Sequence, residues 1–148
     1  MTKITLISGS TFGKTEDFAE DIAKFLKKNN FKLKIFHGVN FSKLSNKGLW
    51  LIITSTYGLG DVPENLKNFL KILKKEKPCL KKIMFGAIGI GNSEYDTFCG
   101  AIKKFNHYLL LCGAKRIGKV LEIDITKNFC LMEYSKPWIK KWIKEIIV

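Results

Sequence analysis

The chain is 148 residues long, which suits one domain spanning 1–148, and its 46% apolar content is enough to build a core. Its net charge of +13 rests on 26 basic residues, of which 25 are lysine; base readout leans on bidentate arginine, so the balance argues against specific nucleic-acid binding and for a solvated lysine surface. No apolar run approaches the ~20 residues of a membrane span, and Ile4–Ile7 is too short for a signal-peptide core, so the expected location is the cytoplasm, away from membranes.

Strand-like and helix-like segments alternate along the chain, the pattern of an α/β domain with a parallel sheet. Lys3–Ser8 is the first strand. Thr15–Asn29 follows as a helix with Phe18, Ile22, Phe25 and Leu26 on one stripe. Its Glu16 and Asp17 stand at the positive end of the helix dipole. Phe31–His37 is the second strand, and Leu49–Ser55 is a continuous apolar run suited to a central buried strand. A helix from Pro63 to about Lys75 turns Leu66, Phe69, Leu70 and Leu73 inward. Ile83–Ile90 is the fourth strand, a helix then runs through Cys112, and Ile117–Ile125 is the fifth strand, read as uninterrupted. Pro137 is the expected start of the last helix, whose apolar face carries Trp138, Ile139, Trp142, Ile143 and Ile146.

The cysteines (Cys79, Cys99, Cys112, Cys130) have neither CxxC spacing nor paired histidines nearby, so free buried thiols are expected rather than a metal site or disulfides. His37 and His107 lie 70 residues apart without triad-like company and read as structural. Chemistry is concentrated instead in three loops that leave strand ends, 8–15, 55–64 and 90–100. In a doubly wound sheet such loops converge outside the carboxyl ends of the strands.

SGSTFGKT at 8–15 looks like a Walker A loop but is one residue short, since the first glycine is Gly9 and position 8 is Ser8. A nucleotide triphosphatase would also need a strand-end carboxylate for Mg²⁺. Leu49–Ser55 ends in Thr54-Ser55 and Ile83–Ile90 in Gly91-Asn92, and neither supplies it. The small P-loop-like NTPase therefore stays as an alternative, together with a non-redox binding module on the same fold. What the first loop does offer is hydroxyls (Ser8, Ser10, Thr11, Thr15) and backbone N–H groups at a helix start, enough for one phosphate. The other two loops each set an aromatic beside glycines, Tyr57 in STYGLGD and Tyr95 in GNSEYDTF, and two such rings can sandwich a flat ring system.

SGSTFGKTE, STYGLGDVPEN and FGAIGIGNSEYDTFCGA resemble the FMN-binding loops of the flavodoxin family. The last two are also similar to the FMN domains of sulfite reductase and cytochrome P450 reductase. HGVN near residue 38 and the uninterrupted fifth strand are similar, more narrowly, to the MioC-type short-chain flavodoxins. The resemblance covers essentially the whole chain. It implies a flavodoxin-like five-stranded parallel sheet of order 2-1-3-4-5 with helices on both faces, and non-covalent FMN.

On this resemblance Ser10, Thr11, Phe12, Gly13, Lys14 and Thr15 surround the phosphate, and Ser55, Thr56, Tyr57 and Gly58 place Tyr57 on one isoalloxazine face. Tyr95 takes the other, with Gly91, Asn92, Phe98 and Cys99 shaping the pocket. The Gly58–Leu59 peptide is expected near flavin N5, where flavodoxins reorient a carbonyl on reduction. The implied role is an electron carrier without catalytic residues, a monomer that takes electrons from a flavin reductase and supplies biotin synthase or a similar redox enzyme. Flavodoxins are typically acidic and this chain is basic, but no Lys or Arg falls in 48–66 or 83–102. Asp61, Glu64, Glu94 and Asp96 are therefore expected to form an acidic rim that docks a partner.

Overall fold

In the computed structural model the described residues are 2–10, 14–57, 60–94, 97–127 and 130–147. Six strands, β1 (Lys3–Gly9), β2 (Lys32–His37), β3 (Lys47–Ser55), β4 (Lys82–Gly91), β5 (Lys115–Arg116) and β6 (Leu121–Asp124), alternate with four helices. The helices are α1 (Lys14–Lys28), α2 (Glu64–Lys75), α3 (Gly100–Leu111) and α4 (Leu131–Ile147). The sheet runs β2-β1-β3-β4-β5, with β6 also on β4, and every one of these pairings is parallel. This is the flavodoxin-like order 2-1-3-4-5, with the fifth position divided between two short strands.

Side chains alternate across each strand, and that alternation divides the molecule into two cores. Leu49, Leu51 and Ile53 of β3 join Ile4 and Leu6 beneath α1 and α4, whereas Trp50 and Ile52 join Ile7, Ile83 and Phe85 beneath α2 and α3. Central strands buried on both faces are apolar at every position, which explains the unbroken run in β3. Helix α2 buries Leu66, Phe69, Leu70 and Leu73 at helical spacing, each contributing about 1.5–3 kcal/mol of transfer free energy. Two glycines of β4 let helices approach the sheet: a Cβ on Gly86 would lie 2.6 Å from Nε1 of Trp142 in α4, and one on Gly89 would collide with Ile102 of α3.

Three expectations from the sequence are corrected. The fifth strand is not one piece over Ile117–Ile125 but Lys115–Arg116 and Leu121–Asp124. Gly118 has φ +74°, the Arg116 guanidinium donates to the Gly118 carbonyl and to Asn106 Oδ1, and Trp138 Nε1 donates to the Lys119 carbonyl at 2.8 Å. The polar backbone of the break is thus partly taken up by side chains instead of the sheet. The last helix starts at Leu131, six residues before Pro137, because Leu131 and Met132 pack on the α4 core and Ser135 is buried. Finally, all four cysteines are free, but only Cys99 and Cys112 are buried; Cys79 and Cys130 are exposed.

Candidate functional site

β1, β3, β4 and β6 deliver their carboxyl ends to one edge of the sheet, because their parallel registers align Gly9 with Thr54, Ser55 with Ile90, and Gly91 with Asp124. A cavity of about 320 Å³ opens there. It is lined by Ser10, Thr15, Ser55, Thr56, Tyr57, Ile90, Gly91, Asn92, Ile125 and Leu131. Seven of these are residues that the sequence singled out. Ser10 and Thr15, both buried, bracket the first loop, with Thr15 in the first turn of α1. Backbone N–H groups of a helix start and two hydroxyls make that end of the cavity suited to an anion.

The opposite end is built from two loops locked together. Tyr57 and Asp61 exchange both backbone hydrogen bonds, at 3.0 and 2.7 Å, closing the second loop into a tight bridge. Ser55 Oγ lies within donating reach of both the Tyr57 hydroxyl (3.1 Å) and the Gly9 carbonyl (3.3 Å), which holds the tyrosine against the cavity wall. Thr56 Oγ1 accepts from the Ala101 backbone N–H at the start of α3. This cross-loop bond substitutes for a side-chain cap that Cys99, the N-cap residue, does not make. Gly60 and Gly100 also meet, since a Cβ on Gly100 would stand 2.8 Å from the Gly60 Cα. A Cβ on Gly91 would lie 2.8 Å from the Cys99 backbone nitrogen, so glycine alone leaves that part of the wall clear.

Asp124 was not anticipated. Its Oδ1 accepts from the Ser93 N–H, the Thr126 N–H and the Thr126 hydroxyl, at 3.3, 3.0 and 2.7 Å. Hydrogen bonding from Ser93 and then Thr126 holds this carboxyl well below the usual carboxylate range, against the opposing effect of burial. The Ile125 N–H donates to the Gly91 carbonyl, so Asp124 and Ile125 together fasten the third loop to β6. Behind the wall, burial foremost and then the Glu122 carboxylate push the Cys99 thiol up to about 12. Cys99 is therefore a packing residue at neutral pH.

Of the other expected site residues, Phe98 and Cys99 stand outside the cavity lining, Cys99 buried behind Gly91 and Phe98 half-buried beneath the Lys103 ammonium. Lys14 opens the backbone of α1. Thr11, Phe12, Gly13, Gly58, Leu59, Tyr95 and Asp96 lie outside the described residues. Asp61, Glu64 and Glu94 are exposed, and Glu64 is paired with Lys67 at 2.6 Å. Ile90, Ile125 and Leu131 were missed. Strand-end position could have suggested the two isoleucines, but Leu131 was hidden by the misplaced start of the last helix.

The flavodoxin family model matches residues 6–138. This chain belongs to the flavodoxin family. Among similar proteins, Protein MioC of Escherichia coli O157:H7 is 46% identical over 143 residues, covering 97% of each chain. The MioC homolog of Haemophilus influenzae is 35% identical over 141 residues, covering 95% of this chain and 97% of that one. A flavodoxin from Pseudomonas aeruginosa, solved as a cysteine-to-serine mutant, shares the fold with a TM-score of 0.89 over 99% of this chain and 100% of that chain, at 23% identity.

FMN is the flavodoxin cofactor, and the residues of this flavodoxin fit it: hydroxyls and a helix start at one end, an aromatic wall and a side-chain-free glycine at the other. The chain is an FMN-binding electron-transfer protein. Among the described residues no helix is long and apolar enough to cross a membrane, and no group of three His, Cys, Asp or Glu is placed to hold a metal ion.

Proposed function

We propose that this flavodoxin is a single-domain cytoplasmic carrier, a monomer, that takes electrons one at a time from a flavin reductase and delivers them to biotin synthase or a similar redox enzyme. The cavity at the strand ends carries the proposal, because it joins an anion-suited end to a tyrosine-walled end within one opening. FMN supplies the one-electron chemistry. The protein supplies binding, orientation and shielding from water.

In this reading the backbone and hydroxyls of 10–15 hold the phosphate, Ser10 and Thr15 at its two ends. Tyr57, steadied by Ser55 and by the bridge to Asp61, stacks on one face of the ring, and Tyr95 takes the other. Gly91 and Asn92 would give the ring edge room, and the Gly58–Leu59 peptide would stand near flavin N5, as the family resemblance implies. The Tyr57–Asp61 bridge limits any backbone reorientation to the residues between them. Asp61 and Glu94, with Glu64 and Asp96, form the rim that meets a basic partner surface. Glu64 contributes least, since Lys67 offsets it.

The purified protein is expected to be yellow and to release FMN on denaturation. A colourless protein that free FMN cannot reconstitute would overturn the reading. The acceptor is tested separately, by asking whether the reduced protein supports biotin formation when it is the sole electron source for biotin synthase.

A further inference from the structure

Ser8, His37 and Glu20 form one hydrogen-bonded line across three elements. Ser8 is the last residue but one of β1, ahead of the 10–15 loop; His37 ends β2; Glu20 lies in the second turn of α1, after that loop. His37 Nδ1 meets the Ser8 hydroxyl, and Nε2 meets Glu20 Oε1 at 2.7 Å. In the neutral tautomer with its proton on Nε2, every atom is matched: Ser8 O–H donates to Nδ1, and Nε2–H donates to the carboxylate. The order serine, histidine, carboxylate is that of a hydrolytic triad. Ser8 is, however, completely buried, so no substrate reaches its hydroxyl, and the line holds rather than attacks.

What it holds is the loop. We propose that His37 is a positioning residue for the cofactor phosphate, stapling the strand that enters the 10–15 loop to the helix that leaves it. The stem is fastened on its other atoms as well. The Ser8 carbonyl accepts from the Gly38 N–H at 2.7 Å, and the Ser10 N–H donates to Asn65 Oδ1 at 3.3 Å. Among the described residues, the His37 line is the side-chain hydrogen-bonded link from β1 to α1, and it adds direction to the apolar packing of Phe18, Ala19 and Ile22 against Ile4 and Leu6. A loop whose stems are fixed in advance loses less conformational freedom when its N–H groups close on a phosphate. The staple thus acts on the phosphate half of the cofactor and leaves the ring half, built from 55–61 and 91–100, unaffected.

This inference rests on the assignment of the 10–15 loop to the FMN phosphate, and comparison of FMN with riboflavin, which lacks the phosphate, separates the two. Dissociation constants of both flavins are measured by fluorescence quenching for the wild type, His37→Ala, Glu20→Ala and Glu20→Gln, with apoprotein melting as a control for folding. His37→Ala and Glu20→Ala are expected to weaken FMN about 10-fold, the size of one or two lost hydrogen bonds, and to leave riboflavin within about twofold. Glu20→Gln keeps an acceptor for Nε2–H and is expected to bind FMN within about threefold of wild type. If His37→Ala does not fold, the two Glu20 variants carry the test. Equal loss for both flavins, or no loss of FMN, overturns the staple. A wild type that binds riboflavin as tightly as FMN overturns the phosphate-loop assignment, and the staple with it.

Discussion

At the scale of single residues, the site is defined by where hydrogen-bonding capacity is spent. The Asp124 carboxylate gathers donors from Ser93 and Thr126, and that charged acceptor holds the third loop on β6. Its titration has a definite sign. A carboxyl held low in the folded state stabilises the fold fully above the unfolded carboxylate range, near pH ~3.9, and that contribution disappears as pH falls toward the folded value. Asp124→Asn is therefore expected to be less stable than wild type at pH 6, with the gap closing below about pH 4; urea midpoints measured across pH check this. The cysteines divide in the same local way. Burial raises the Cys99 and Cys112 thiols, whereas Cys79 and Cys130 are exposed. Iodoacetamide at pH 8 should alkylate Cys79 and Cys130 in the native protein and leave the other two for the denatured one, as peptide mass spectrometry reads directly.

At the scale of elements, two departures from regular geometry, the break between β5 and β6 and the proline inside α4, lie side by side. β5 and β6 are separated by the Gly118 turn, and α4 crosses that break with Trp138 and Trp142 stacked at 5.7 Å. Trp138 takes up the Lys119 carbonyl that the sheet leaves. α4 itself carries Pro137 as its seventh residue, exposed and without an N–H for the Glu133 carbonyl one turn back. Pro137→Ala is expected to stabilise the protein by about 1 kcal/mol, raising Tm by about 2–4 °C, since the restored helix bond outweighs the added freedom of the unfolded chain. Calorimetry of the two proteins decides it. A loss of stability would mean that the proline fixes the approach of Leu131 to the cavity.

At the scale of the whole molecule, charge is arranged rather than merely abundant. The net charge of +13 leaves 48–66 and 83–102 without a basic residue, and these ranges hold the loops on the cavity's aromatic side. Asp61 and Glu94 are exposed there without an ion pair among the described residues, while Glu64 is tied to Lys67 and Glu122 to Lys103. Neutralising Asp61 and Glu94 together should slow association with a basic partner several-fold at low salt. The difference should shrink as ionic strength shortens the screening length from ~30 Å at 0.01 M to ~8 Å at 0.15 M. Stopped-flow rates against salt measure it; rates indifferent to both changes would move the docking face elsewhere. Glu64→Gln should have the smallest effect of the three.

The sequence by itself determined the alternation of strands and helices, the apolar core positions and the hydroxyl-rich loop after β1, because each is written in a local period or in the residue types of one turn. Ser10, Thr15, Ser55, Thr56, Tyr57, Gly91 and Asn92 were legible for that reason: each closes a strand or lies in the turn or helix start that follows one. Only the tertiary structure decided what the registers bring together. Ser8 and His37 are 29 residues apart and Ser93 and Asp124 are 31 apart, so no local pattern joins them. The parallel pairing of β1 with β2 and of β4 with β6 does. The same holds for Leu131, which reaches the cavity because its helix begins a turn and a half earlier than proline chemistry suggests. Packing of Leu131 and Met132 on the α4 core overrides the local preference for proline at a helix start.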